Sequence, residues 1–105
     1  MEAATKVDPV LSADGKELTI KINGRFDFAC HQAFRDAYER VNHTPKEFVI
    51  DLMNTTYMDS SALGMLLLLR DHAGGEKAVV RLINASADTR KILAISNFEK
   101  LFSVA

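Results

Sequence analysis

The sequence predicts a single α/β domain over residues 1–105, a mixed sheet of four to five strands flanked by about four helices. Three observations carry that expectation. Leu18, Ile20 and Ile22 alternate with Glu17, Thr19 and Lys21, the period of a half-buried strand. From Ala29 to Val41 apolar residues return at three- and four-residue spacing, the period of an amphipathic helix. Beyond Pro45, strand-like and helix-like runs alternate to the C-terminus, which builds a sheet with helices packed on it.

Taken in order, residues 7–11 form a first strand, and Ala13-Asp14-Gly15-Lys16 is a turn leading into Glu17–Ile22, so these strands are expected to pair as a hairpin. Asn23-Gly24 is expected to end that ladder. In the first helix Cys30, Ala33, Phe34, Ala37, Tyr38 and Val41 make the apolar face, and Gln32, Arg35, Asp36, Glu39 and Arg40 fill the other. Asn42-His43-Thr44-Pro45 breaks it, because proline disfavours helical geometry in the residue before it. Phe48–Met53 then reads as a buried strand.

A second helix is predicted from Ser60 to Ala73, stopped by Gly74-Gly75, since glycine tolerates the left-handed conformation that closes helices. Ala78–Ile83 is a fourth strand. Ser86 caps a third helix over Ala87–Ile95, with Asp88 well placed for the helix dipole. A short last helix around Phe98–Phe102 closes the chain. The later connections are long enough for right-handed crossovers, so those strands should run parallel. Loops at the C-terminal ends of such strands collect binding sites, and Asn54–Ser60 is one of these.

Composition narrows the function. With 105 residues, 48% hydrophobic and 26% charged, the chain supports one small core. Its 13 basic and 14 acidic residues give a net charge of −1 with no basic block, which argues against nucleic acid and for protein partners. The lone Cys30 cannot form an internal disulfide, and no Cys/His spacing suggests zinc, so a reducing, cytoplasmic setting is expected without a metal or other cofactor. The first eleven residues, with Glu2, Lys6, Asp8 and Pro9, do not make a secretion signal. The apolar run at Ala62–Leu69 falls short of the ~20 residues a spanning helix needs, so no membrane association is expected.

Chemistry concentrates at Tyr57-Met58-Asp59-Ser60-Ser61-Ala62-Leu63-Gly64, where a carboxylate and two hydroxyls precede a strongly apolar helix. Asp59 or Ser60 can cap that helix, and the same position can serve as a modification or binding site; the two uses are compatible. At about 100° per residue, Ser60, Gly64, Leu67 and Asp71 fall on one stripe and Ala62, Leu66, Leu69 and Ala73 on the opposite one, which faces the sheet. Leu67 and Leu68 then lie outward, where a purely structural helix more often carries Lys or Glu, and a partner can dock there. Gly64 costs up to ~1 kcal/mol in a helix relative to alanine. Close approach of a partner and tight packing within the domain both explain it.

Catalysis is not expected. Ser60 does not sit in a Gly-x-Ser-x-Gly elbow, although His31, His43 and His72 are available, and Gly74-Gly75 lacks the run and the Lys-Ser/Thr of a phosphate-binding loop.

The stretches Val49-Ile50-Asp51-Leu52 and Met58-Asp59-Ser60-Ser61-Ala62-Leu63-Gly64 resemble the signature of the STAS domain family, specifically its bacterial anti-sigma factor antagonists. Gly24-Arg25-Phe26-Asp27 resembles the family's Gly-x-Leu-Asp, and Ile95-Ser96-Asn97-Phe98 its closing segment. The resemblance implies a STAS domain, monomeric when free, in which Ser60 is phosphorylated by a partner that is both serine kinase and anti-sigma factor and that supplies the nucleotide. It implies binding when Ser60 is unmodified, release when it is phosphorylated, and a PP2C-type phosphatase that restores it. Asp27 and Asp59 match the family's acidic positions beside the phosphosite, with Ser61 adjoining, and the docking residues read from the stripe are Gly64, Leu67, Leu68 and Asp71. Ala62 and Asn97 stand where many members have glycine, which bears on kinase preference rather than on the hydroxyl. A phosphate on Ser60 would add about −1.5 to −2 charge beside these acids, repelling the partner while the helix N-terminus partly stabilises it. The rival reading is a non-switching STAS scaffold subunit of a bacterial ABC-type lipid transporter, using the same helix face.

Overall fold

A computed structural model of the chain describes residues 5–41 and 44–104. Its spine is a ten-residue strand, β2 (Glu17–Phe26). The alternation seen in the sequence puts Leu18, Ile20 and Ile22 wholly inside. An antiparallel partner, β1 (Lys6–Leu11), pairs with β2 from Lys6 opposite Asn23 to Leu11 opposite Leu18, the expected hairpin. In its turn the Asp14 carboxylate accepts hydrogen bonds from the Ser12 hydroxyl at 2.7 Å and the Lys16 N–H at 3.0 Å. The ladder does not end at Asn23-Gly24, as the sequence suggested. Gly24, at φ +115°, absorbs a register shift and the strand continues to Phe26. Glycine marks a bulge as readily as a stop, and sequence alone does not separate the two.

Two strands share β2 along its length. The first, β3 (Glu47–Asp51), runs parallel to its first half, with Leu18 beside Phe48 and Ile20 beside Ile50. The chain then turns and re-enters as β4 (Thr55–Met58), parallel to the second half, with Arg25 beside Tyr57 and Phe26 beside Met58. The segment expected as a loop at Asn54–Ser60 is therefore mostly strand. Four residues are too few to show a period, and tertiary hydrogen bonds hold them. The Thr55 hydroxyl donates to the Ile22 carbonyl at 2.9 Å, the Gly24 N–H to the Asn54 carbonyl at 3.0 Å, and the Asn54 amide to Asn23 Oδ1 at 3.0 Å.

Beyond these, β5 (Val80–Ile83) lies parallel to β3 and β6 (Ser103–Val104) parallel to β5. The described sheet thus has six strands in the order β1-β2-β3-β5-β6 with β4 on β2, parallel after the hairpin as anticipated. Three α-helices are described rather than about four. The first, α1 (His31–Glu39), is entered through a single 3-10 turn at Phe28–Cys30, so it begins two residues later than its periodicity suggested. The others, α2 (Ser60–Ala73) and α3 (Ala87–Ile95), have the expected bounds. The expected last helix is one 3-10 turn, Phe98–Lys100, confined between left-handed Asn97 and β6. Of the expected break after α1, Asn42 and His43 lie outside the described residues, while Pro45 is buried.

All three helices add side chains to one core: Phe34 from α1, Leu66 from α2 and Leu93 from α3 meet Ile20, Ile50 and Leu82 of the sheet. The other sheet face carries Glu17, Thr19, Lys21, Glu47 and Arg81, with Arg81 and Glu47 paired at 2.9 Å. No helix among the described residues is long and apolar enough to cross a membrane. Leu66 is fully buried and Leu68 is 60% exposed on the same helix. Urea unfolding of Leu66→Ala is expected to show a loss of about 2–5 kcal/mol, and Leu68→Ala a change within about 0.5 kcal/mol.

Candidate functional site

The strands β2 and β4 end as register partners at Phe26 and Met58, so Asp27 and Asp59 leave the sheet on adjacent strands. Both adopt extended backbone, at φ/ψ −134°/−175° and −127°/−173°, and each caps the helical turn that comes directly after it. The Asp27 carboxylate accepts the Ala29 N–H at 3.1 Å. The Asp59 carboxylate accepts the N–H groups of Ser61 and Ala62 at 3.0 and 3.3 Å. A helix start leaves such N–H groups without intrahelical partners, and a short carboxylate side chain on an extended residue reaches them. Asp59, rather than Ser60, is thus the cap of α2.

The two hydroxyls of Ser60 and Ser61 are in different states. Ser61 is half-buried and donates its hydroxyl to Asp59 Oδ1 at 2.6 Å. Ser60, the first residue of α2, is exposed, and its hydroxyl has no hydrogen-bond partner among the described residues. The Ser61 hydroxyl is the main influence holding the Asp59 carboxyl below its ordinary pKa. The backbone N–H groups of Ala62 and Ser61 and the charge of Arg25 act in the same direction, against partial desolvation.

Arg25 is the residue of this site to which sequence reasoning gave no role. Its guanidinium lies 4.2 Å from the centroid of the Tyr57 ring, and its Nε is 3.3 Å from Asp27 Oδ2. It therefore links β2, β4 and the turn before α1. Its place beside Tyr57 becomes legible only once β4 is known to pair with β2. In the turn before α1, the buried Cys30 thiol donates to the Asp27 carbonyl at 3.2 Å. Burial pushes that thiol's pKa up, and the charges of Asp27 and Asp59 add to the effect, so it stays protonated and unreactive.

Along α2, Ser60, Gly64, Leu67, Leu68 and Asp71 are all exposed, while Ala62, Leu66 and Leu69 are buried with Met65 and Ala73 is half-buried. A Cβ at Gly64 would meet nothing within 4 Å. Tight packing within the domain therefore does not explain that glycine. Leu68 also lines a cleft of about 380 Å³ between α2 and α1, with His31, Phe34, Tyr38, Met65 and His72. There His31 stacks on Phe28 at 4.5 Å and His72 rests against Tyr38 at 4.9 Å, so both histidines are engaged by aromatic rings. His43 lies outside the described residues.

Comparison with known proteins adds to this geometry. The family described as "Mlab, STAS domain" matches residues 10–103. A STAS-domain containing protein of Pseudomonas aeruginosa (strain UCBPP-PA14) is 70% identical over 94 residues, which cover 90% of this chain and 93% of that protein. Among solved structures, an anti-sigma factor antagonist from Mycobacterium paratuberculosis matches with a TM-score of 0.72 at 18% identity, over 94% of this chain and 85% of that one. The Bacillus cell fate determinant SpoIIAA in its phosphorylated form matches with a TM-score of 0.63 at 17% identity, over 97% and 91% of the two chains. At these identities the two structures share a fold with this chain.

The cap and the open glycine each have a measurable consequence. Asp59→Ala is expected to destabilise the protein by roughly 0.5–2 kcal/mol in chemical unfolding, the usual cost of losing an N-cap. Because the Asp59 pKa is lowered in the folded state, its contribution is present above the unfolded value of about 3.9 and is lost as pH falls through the folded value below that. Stability of Asp59→Asn should consequently fall less steeply than wild type on acidification below pH ~4. Gly64→Ala is expected to raise stability by up to about 1 kcal/mol, since a methyl group there meets open space.

Proposed function

Because the chain belongs to the STAS domain family, we propose that it is an anti-sigma factor antagonist whose grip on its partner is set by phosphorylation of Ser60. The partner is an anti-sigma factor that is also a serine kinase. It is bound while Ser60 is unmodified and released when Ser60 carries phosphate, and a PP2C-type phosphatase resets the cycle. The protein works in the cytoplasm as a monomer when free, and its role is binding rather than catalysis.

One observation carries this reading: the exposed hydroxyl of Ser60, without a hydrogen-bond partner among the described residues, stands next to an Asp59 and a Ser61 that are already committed to each other. A kinase can reach Ser60 without dismantling the cap. A phosphate there adds about −1.5 to −2 charge next to Asp59 and close to Asp27. Any acidic or apolar surface docked on Leu67 and Leu68 is then repelled or forced to desolvate charge. A relative of this fold has been solved in a phosphorylated form, which supports a local rather than an unfolding switch.

Isothermal titration with the anti-sigma factor tests the switch. Ser60→Ala should bind like the unmodified protein, and Ser60→Asp at least about tenfold more weakly, roughly 1.4 kcal/mol. Equal binding by both variants would contradict the switch and leave a constitutive scaffold, as in a transporter subunit. Leu67→Asp, on the outward stripe, should weaken binding by a similar factor while cooperative unfolding is retained; loss of cooperativity would place Leu67 in the core instead.

A further inference from the structure

The capping geometry poses a problem for a phosphate on Ser60. Asp59 already takes the N–H groups of Ser61 and Ala62, and the Leu63 N–H is directed at the Asp59 carbonyl at 3.4 Å. The start of α2 is therefore largely occupied, and two carboxylates stand near it. A dianion placed there finds few free backbone donors, and a nearby cation would stabilise it.

Arg25 meets the requirement. It is the register partner of Tyr57, three residues before Ser60 on a strand roughly 4.8 Å away. Its side chain is 51% exposed and tied to Asp27 through one contact at 3.3 Å, an arrangement of little net strength. Stacking on Tyr57 restrains the guanidinium at the end of β4 that leads into Ser60, without consuming its N–H donors. Phosphate offers more charge and more acceptors than a carboxylate, and arginine pairs with it in a two-pronged geometry.

We propose that Arg25 is the ligand, within the same chain, for phosphate on Ser60: on modification its guanidinium swings from Asp27 to the phosphate while remaining on the Tyr57 ring. The inference rests on Ser60 being the modified residue. Phosphorylation then does two things to the docking face. It adds the anion at the head of α2, and it frees the Asp27 carboxylate from its contact with Arg25. Both changes make that end of the surface more acidic to a partner, while the phosphate itself is held against the domain.

The test uses full-length protein with phosphoserine genetically encoded at position 60, so the outcome does not depend on any kinase choosing the site. The second dissociation of the phosphate is followed by phosphorus NMR as pH is varied. Asp27 and Asp59 act to raise that pKa and Arg25 to lower it. The buried Cys30 thiol is protonated, and His31, next along the chain, is stacked on Phe28. Arg25→Ala should move the titration upward by about one unit, in line with loss of a neighbouring opposite charge. Arg25→Lys should recover part of the shift, and high salt should shrink it. Identical titrations for wild type and Arg25→Ala would overturn the proposal. Where Arg25→Ala does not fold, the Nε–H resonance of Arg25 in wild type decides. It should move between the serine and phosphoserine proteins, and an unmoved resonance would overturn the proposal. A kinase that leaves Ser60 unmodified would defeat the switch while leaving this titration as it is.

Discussion

The pairing of Phe26 with Met58 is the constraint on which the rest of the site depends. Because β3 and β4 take successive halves of one long strand, the chain returns to β2 in time to end beside it. Two parallel strands that stop in register must release their next residues as neighbours. Here both are aspartates in the same extended conformation, and each turns its carboxylate onto the start of a helical segment. Gly24 makes this possible. Its positive φ bends β2 through the register shift, and a side chain there would also press on Thr5 at 3.3 Å.

That geometry divides the work among three consecutive residues. Asp59 satisfies the backbone of α2, Ser61 satisfies Asp59, and Ser60 is left facing outward. The cap and the proposed switch therefore do not compete. A conventional serine cap would have tied up the hydroxyl that a kinase needs; a carboxylate cap leaves it available at the head of a face that runs on through Gly64, Leu67 and Leu68. The proposed phosphosite stands on a helix pinned to the sheet by Leu66 and Leu69, both in the core.

Much of this was legible in the sequence wherever the signal was local. The helix α2 could be bounded because an Asp-Ser start and a Gly-Gly stop enclose it, and its outward stripe came from helical period alone. The hairpin was readable from one alternating run and one turn. The shortest elements, held only by distant partners, were not. The four residues of β4 and the two of β6 carry no period, and only their hydrogen bonds to β2 and β5 make them strands. For the same reason Arg25 had no role until Tyr57 was placed beside it. The proximity of Asp27 and Asp59 came only from the family resemblance, and the β2–β4 register now supplies its physical cause.

The central claim is that Ser60, and not its neighbour, is the modified residue. Incubation of the protein with its cognate kinase and ATP, with mass-spectrometric mapping of the product, tests it most directly. The expected result is a single phosphate on Ser60, because its hydroxyl is exposed while that of Ser61 is bound to Asp59 at 2.6 Å. Phosphate on Ser61, or none on either serine, would contradict the account.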